Sequence, residues 1–342
     1  MAHGPSSSGS PDSPGAGERP QAPLEEFARR VHDQASLRKL DAAAVEAFAA
    51  FDAAGVDALL LKGPALARML YEPGERRGYV DVDLLVSPRD LQAARQVLAD
   101  LGYRNALEPF GIDEMAADLD SETWARTGDS ASAGLMIDLH RRLPGSRAAP
   151  QPAWDALATG RTELDIDGRC VPVFSRSGLA LHVATHAAQH GLSFRGPIED
   201  LTKALERWPP EVWRGAEMLA REVEATGAFA AGLRLVPAGA ALALDLGLPG
   251  TDDLEWAIAH AHARPRGSFH LQSLAEARTF RERAAMLRRS VLPRREWIAS
   301  EYWWARGRRG RMAVAYGLHL IRVPVWAYRT WRFRRRASRA GG

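Results

Sequence analysis

Two aspartates one residue apart, Asp81 and Asp83, interrupt the otherwise apolar and β-prone run Gly78-Tyr-Val-Asp-Val-Asp-Leu-Leu-Val86. Side chains alternate along a strand, so residues 81 and 83 share one face while Val80, Val82 and Leu84 take the other. Two carboxylates in one small volume repel and raise each other's pKa unless a cation sits between them. A hard divalent ion with oxygen ligands, Mg²⁺ most simply and Mn²⁺ as the substitute, is the natural relief. An Asp-x-Asp also occurs on solvated strand faces, so its flanks decide the matter.

Those flanks read as alternating strands and helices. Leu37, Leu40, Ala44, Phe48 and Phe51 recur at helical spacing, which predicts an amphipathic helix ending near Gly55. Ala58 to Lys62 is a short apolar strand closed by Gly63-Pro64, and Pro64 suits the first position of a following helix. Ser87-Pro88 reads as N-cap and first turn of a helix carrying Leu91, Ala94, Val97, Leu98 and Leu101. Strands are expected over Tyr103–Leu107, residues 134–140 and Arg169–Phe174, while residues 110–120 are acidic and have no clear pattern. After Ser175 the pattern turns helical over Gly178–His190, Ile198–Trp208, Glu211–Ala225 and Phe229–Leu246. The predicted organisation is a disordered Ser-, Pro- and Gly-rich segment 1–23 and an α/β domain over 24–175. A helical domain over 176–292 and a basic aromatic extension over 293–342 follow.

Composition narrows the compartment. The single cysteine, Cys170, excludes an intramolecular disulfide framework and a Cys-rich metal site. With no apolar signal-peptide core near the N-terminus, a cytoplasmic protein is expected. The 342 residues contain only three lysines, at 39, 62 and 203, which singles out Lys62 just upstream of the acidic pair.

Order along the chain supplies the chemistry. An apolar strand ends in Lys62-Gly63 before a helix, whose N-terminus could face a triphosphate. The Asp-x-Asp strand follows, and Asp138 stands on a later one among apolar neighbours. If that later strand lies beside the first, three carboxylates form a cup for two ions, suited to phosphoryl transfer.

The segments Leu-Leu-Leu-Lys-Gly-Pro-Ala-Leu (59–66), Tyr71, Pro73-Gly74, Arg77, Asp-Val-Asp-Leu-Leu-Val (81–86) and Gly102-Tyr103 resemble the bacterial uncharacterised nucleotidyltransferase family of the polymerase-β-like superfamily. Ile-Asp-Leu-His (137–140) is similar to the third-carboxylate segment of aminoglycoside and lincosamide nucleotidyltransferases. His182, His186 and His190 with Ile-Glu-Asp-Leu (198–201) match the family's second half, so the resemblance spans roughly residues 37–335. It implies an α+β fold: a polymerase-β-like mixed-sheet domain followed by a helical domain. The implied activity is metal-dependent transfer of an NMP from an NTP to an unidentified acceptor (small molecule, sugar, peptide or protein), releasing pyrophosphate. Asp81, Asp83 and Asp138 would be catalytic and metal-binding, with Asp138 as candidate base, and Gly63 would open the phosphate-facing helix.

One departure is Gly63-Pro64, where the superfamily often has Gly-Ser or Gly-Gly. Proline removes a donor, so phosphate binding would lean on Lys62 or Arg77. His140 shares the face of Asp138, and His140, His186, His190 and Asp200 are candidates to face substrate. A zinc-peptidase role fails because Val183 and Ala187 stand where a glutamate is needed. Asp200 is expected to orient one of the histidines. A non-catalytic nucleotide sensor or partner-binding protein on the same scaffold is the alternative.

The tail admits three readings. Packing on the core leads, and peripheral contact with the inner face of a membrane is open because Val314, Leu318, Ile321 and Val325 approach a helical stripe flanked by arginines. Pro324 would interrupt that helix. Nucleic acid is disfavoured, since no named binding module is present.

Overall fold

The structure, a computed structural model, describes residues 21–106, 121–126, 135–248, 250, 279–293, 295, 298, 302–305 and 309–340. The acidic segment 110–120 and most of segment 1–23 lie outside the described residues. Helix α1, Gln21–Ala54, already includes residues 21–23.

Seven strands form one mixed sheet in the order β3-β4-β5-β2-β1-β7-β6. In chain order β1 is Ala58–Leu60, β2 Val82–Val86, β3 Tyr103–Asn105, β4 Ser121–Arg126, β5 Leu135–His140, β6 Thr162–Ile166 and β7 Arg169–Val173. The centre mixes directions: β2 runs antiparallel to β1 and parallel to β5, while β1 is parallel to β7. Helix α2 (Pro64–Met69) follows β1, α3 (Leu91–Asp100) follows β2, and α4 (Pro150–Ala158) precedes β6.

Alternation along the central strands sorts residues onto two faces. Leu60, Val82, Leu84, Ile137 and Leu139 pack with Leu40, Phe48 and Phe51 of α1 and Leu98 of α3. Leu59, Leu61 and Leu85 point the other way, into a core shared with the helical half of the chain. That half begins at α5, Arg176–His190, whose N-cap Ser175 accepts a hydrogen bond from the Gly178 amide at 3.1 Å. It continues through α6 (Arg195–Arg207), α7 (Pro210–Glu222), α8 (Thr226–Leu233) and α9 (Pro237–Asp245). Because Leu59 and Leu85 belong to the same buried cluster as Leu181, Trp213 and Phe229, residue 175 marks a change of secondary structure rather than a gap between cores. Helices α5 and α8 cross so closely that a Cβ on Gly232 would lie 1.8 Å from the Ala184 carbonyl oxygen, which only glycine avoids.

Two expected elements differ. Ser87-Pro88 belongs to a turn, and α3 starts at Leu91 after Asp90, whose carboxylate instead accepts from the Asp57 amide at 3.2 Å. Residues 229–246 form two helices, because Pro237 cannot donate to the preceding turn and restarts the helix at its own first position. Among the described residues of the last part of the chain are helices α10 (Phe280–Val291) and α11 (Arg309–Ala340), and α11 runs through Pro324.

Candidate active site

The site forms where β2 and β5 lie side by side. Their parallel register pairs Asp83 with Asp138 and places His140 two residues on. With Ile137 and Leu139 on the α1 side, Asp138, His140 and Asp83 occupy the face turned towards the helical half. Ligand atoms of Asp83, Asp138 and His140 lie within 4.8 Å of one another, a spacing that can hold a metal ion. Asp81 sits one residue before β2, partly buried, and feels the charges of Asp83 and Asp138.

Asp83 is fully buried, and its two oxygens are treated differently. Oδ1 meets the Lys62 ammonium at 3.0 Å and the Nε2 of His140 at 3.1 Å. Oδ2 is buried and has no hydrogen-bond partner among the described residues. Burial alone would raise the pKa of this carboxyl, but the His140 hydrogen bond and the Lys62 charge outweigh it and hold it well below the usual carboxylate range. Asp81 has less help: burial, and then the charge of Asp83, push it up to about 6. Burial opposes the charged form of Lys62 as well, yet Asp83 and Asp81 together raise its pKa, so the ammonium stays charged. Asp138 accepts a hydrogen bond from the Thr123 hydroxyl of β4 at 2.7 Å, which fixes its orientation.

Gly63 joins β1 to α2 with φ +65°, in the left-handed region that glycine tolerates. A Cβ there would lie 3.3 Å from the Asp81 carbonyl oxygen and 3.5 Å from the Tyr79 ring. Helix α2 is a single short piece of six residues with proline first, so it presents little of the dipole the sequence led one to expect.

Arg77, the other cation expected at phosphate, is tied to Asp200 of α6. Its Nε donates to Oδ1 at 2.9 Å and its Nη2 to Oδ2 at 2.8 Å, a two-pronged pair buried on both sides. The Tyr71 hydroxyl donates to the same Oδ1 at 2.7 Å, and Arg77 Nη1 reaches the Gly63 carbonyl at 3.4 Å. Asp200 therefore anchors the loop that carries Gly63, rather than orienting a histidine as expected. Its partners lie 129 and 123 residues away, so no local pattern could have announced them.

The three histidines of α5 lie in series, the first pair stacked and the second edge to face. His182 and His186 have ring centroids 5.6 Å apart, His186 and His190 4.5 Å, and His190 and Phe194 5.0 Å. Burial lowers the pKa of His182 to about 3 and that of His186 well below its ordinary value, with the Lys62 charge adding to both. Both rings are neutral near pH 7. A groove of about 910 Å³ opens beside this row, lined in part by Tyr71, Glu75, Phe194, Ile198 and Lys203.

Thr123 and the Asp41 cluster were not foreseen. Asp41 of α1 accepts from the Tyr79 hydroxyl at 2.6 Å and from Arg68 Nη2 at 2.8 Å, which pins the approach to β2 from the opposite face.

None of the curated proteins compared with the chain matches it. Among solved structures, the antibiotic-resistance factor ANT(2'')-Ia shares 16% sequence identity at TM-score 0.36, over 55% of this chain and 91% of that one. An antigenic nucleotidyltransferase-like protein from Paracoccidioides brasiliensis shares 17% at TM-score 0.34, over 56% of this chain and 93% of that one. The model of the family described as uncharacterised nucleotidyltransferase matches residues 12–238, and with the Asp-x-Asp strand and its neighbouring Asp138 inside that span, the chain belongs to this family.

Proposed function

We propose that the protein transfers a nucleoside monophosphate from an NTP to an acceptor hydroxyl at the β2–β5 site. The observation that carries this is the pairing of Asp83 with Asp138 on adjacent parallel strands, with Asp83 Oδ2 buried and, among the described residues, without a hydrogen-bond partner. A buried, ionised oxygen without a donor is costly unless a cation completes it, so the residues fit a metal. Asp81, Asp83 and Asp138 are the residues that would hold Mg²⁺ or Mn²⁺, whose chemistry is to neutralise the triphosphate and the charge developing at the α-phosphorus.

The chain's own groups do the rest. Lys62 and His140 keep Asp83 ionised and oriented before substrate arrives. Asp138, held by Thr123, takes the proton of the acceptor hydroxyl as its oxygen bonds to the α-phosphorus. The bond from that phosphorus to the β-bridging oxygen breaks, and pyrophosphate leaves with the electron pair. The Arg77–Asp200 pair holds the Gly63 loop from α6, and the groove lined in part by Tyr71 and Phe194, reached through the Tyr71 hydroxyl on the same Asp200, would give room for the acceptor.

The test is Asp83→Asn, measured as Mg²⁺- or Mn²⁺-dependent release of pyrophosphate from NTP across an acceptor screen. The substitution should abolish release while the melting curve stays cooperative. Full retained turnover would sink the assignment, and metal-dependent NTP binding by the unaltered protein without release under any acceptor would favour a nucleotide-sensing role.

A further inference from the structure

Helix α11 takes no part in the site, and its two sides differ. Met312 and Ala315 are buried with Ile298, Tyr302 and Ala305, and His319 is buried one turn further along the same side. Val314, Leu318, Ile321, Val325 and Tyr328 recur at steps of four, three, four and three, which places them in one stripe away from that packed side. All five are exposed, Ile321 at 69% and Val314 at 56%. Trp331, also exposed, stacks on Tyr328 with ring centroids 5.9 Å apart. Arg311 and Arg322 are exposed on the helix, and from Arg306 to the end the sequence has eleven arginines and no aspartate or glutamate.

We infer that this side of α11 docks on an anionic lipid bilayer, with the helix lying in the plane of the interface. Apolar side chains left in water in one continuous stripe call for a covering surface. A second copy packed stripe to stripe would bring two arginine-rich helices together with no carboxylate from either to offset them. A nucleic acid would satisfy the arginines and leave the apolar stripe in water. An anionic membrane surface satisfies both: the stripe enters the acyl boundary, Tyr328 and Trp331 sit at headgroup depth, and the arginines meet lipid phosphates. Among the described residues no helix is long and apolar enough to cross a membrane, so the contact lies on one leaflet.

Co-sedimentation of the full-length protein with vesicles tests this, using phosphatidylcholine alone or mixed with phosphatidylglycerol. The protein should sediment with the mixed vesicles and stay in solution with phosphatidylcholine. The double substitution Ile321→Glu and Val325→Glu removes two exposed apolar groups and adds two negative charges. It should lower the partition coefficient at least about tenfold and leave the melting temperature unchanged, because both side chains already face water. Asp83→Asn should sediment like the unaltered protein, which separates this inference from the reading of the active site. Failure to sediment, or equal sedimentation of the double variant, would overturn the inference. So would a lipid-free dimer that the double variant abolishes, because the stripe would then cover a second copy.

Discussion

Removing one partner of the Arg77–Asp200 pair should cost far more than removing both. Their side chains are only 10% and 5% exposed, and Asp200 also accepts from Tyr71, so Asp200→Asn leaves a guanidinium in the interior without its counter-charge. Breaking a buried pair in this way costs about 3–5 kcal/mol, because the stranded charge keeps its desolvation penalty. At about 2–4 °C per kcal/mol for a cooperative unit of this size, the melting temperature should fall by roughly 10 °C. Replacing both groups with apolar residues of similar bulk, Arg77→Met with Asp200→Leu, removes the stranded charge and should recover most of that loss. Thermal melts of the unaltered protein, Arg77→Met alone, Asp200→Leu alone and the double variant close a cycle that gives the coupling directly. Additive losses in the double variant, or a melting temperature in Asp200→Asn within about 2 °C of the unaltered protein, would refute the account. Turnover gives a second readout. Arg77 touches the Gly63 carbonyl, so the recovered double variant should still turn over NTP slowly, its fold restored but its loop no longer held from α6.

Acid should weaken the fold through α5. His182 has a pKa of about 3 in the folded protein, below the ordinary 6.5, so the unfolded chain binds the extra proton between those values. Its contribution is fully present above pH 6.5 and is lost as pH falls, by about 3 kcal/mol at pH 4.5. Urea midpoints at pH 7.5 and 4.5 should converge in His182→Phe, and an unchanged pH difference would count against the buried neutral ring. Gly63→Ala should cost about 1–2 kcal/mol from its left-handed backbone alone, and the 3.3 Å approach to the Asp81 carbonyl should displace the aspartates. A large fall in NTP turnover with a small fall in melting temperature is the expected pattern, and normal turnover would show that the loop has room.

Legibility in the sequence followed burial. Strands β2 and β5 were readable because a charged residue inside an apolar run has few innocent explanations, and the register of Asp83 with Asp138 turned that pattern into a site. Strand β4 was not read, since Glu122 and Trp124 alternate with polar residues and the burial of Glu122 depends on an ion pair with Arg95 from another element. Strand β6 hid for a different reason. It lies at the sheet edge, largely exposed, and its apolar content is low. The signal that could have revealed it is Asp167-Gly168, both with positive φ, the two-residue hairpin turn that joins it to β7.

The carboxylates of the site were visible in sequence, but the distribution of charge among them was not. Spacing places Asp81 and Asp83 together and says only that two like charges need relief. Folding provides that relief unequally. Lys62 and His140 both converge on Asp83 Oδ1, so this carboxylate is ionised, buried and fixed before any ligand is present. At Asp81 burial and the charge of Asp83 outweigh the pull of Lys62, and its pKa climbs to about 6. The pair thus behaves as two different groups: one permanently charged anchor, and one carboxyl that gains its charge near neutrality or when a cation arrives. The same placement constrains Lys62 and Arg77, the two candidates for a phosphate contact. In a buried site a cation has first to balance the carboxylates already there, Lys62 against Asp83 and Arg77 against Asp200, before it is free to meet a substrate.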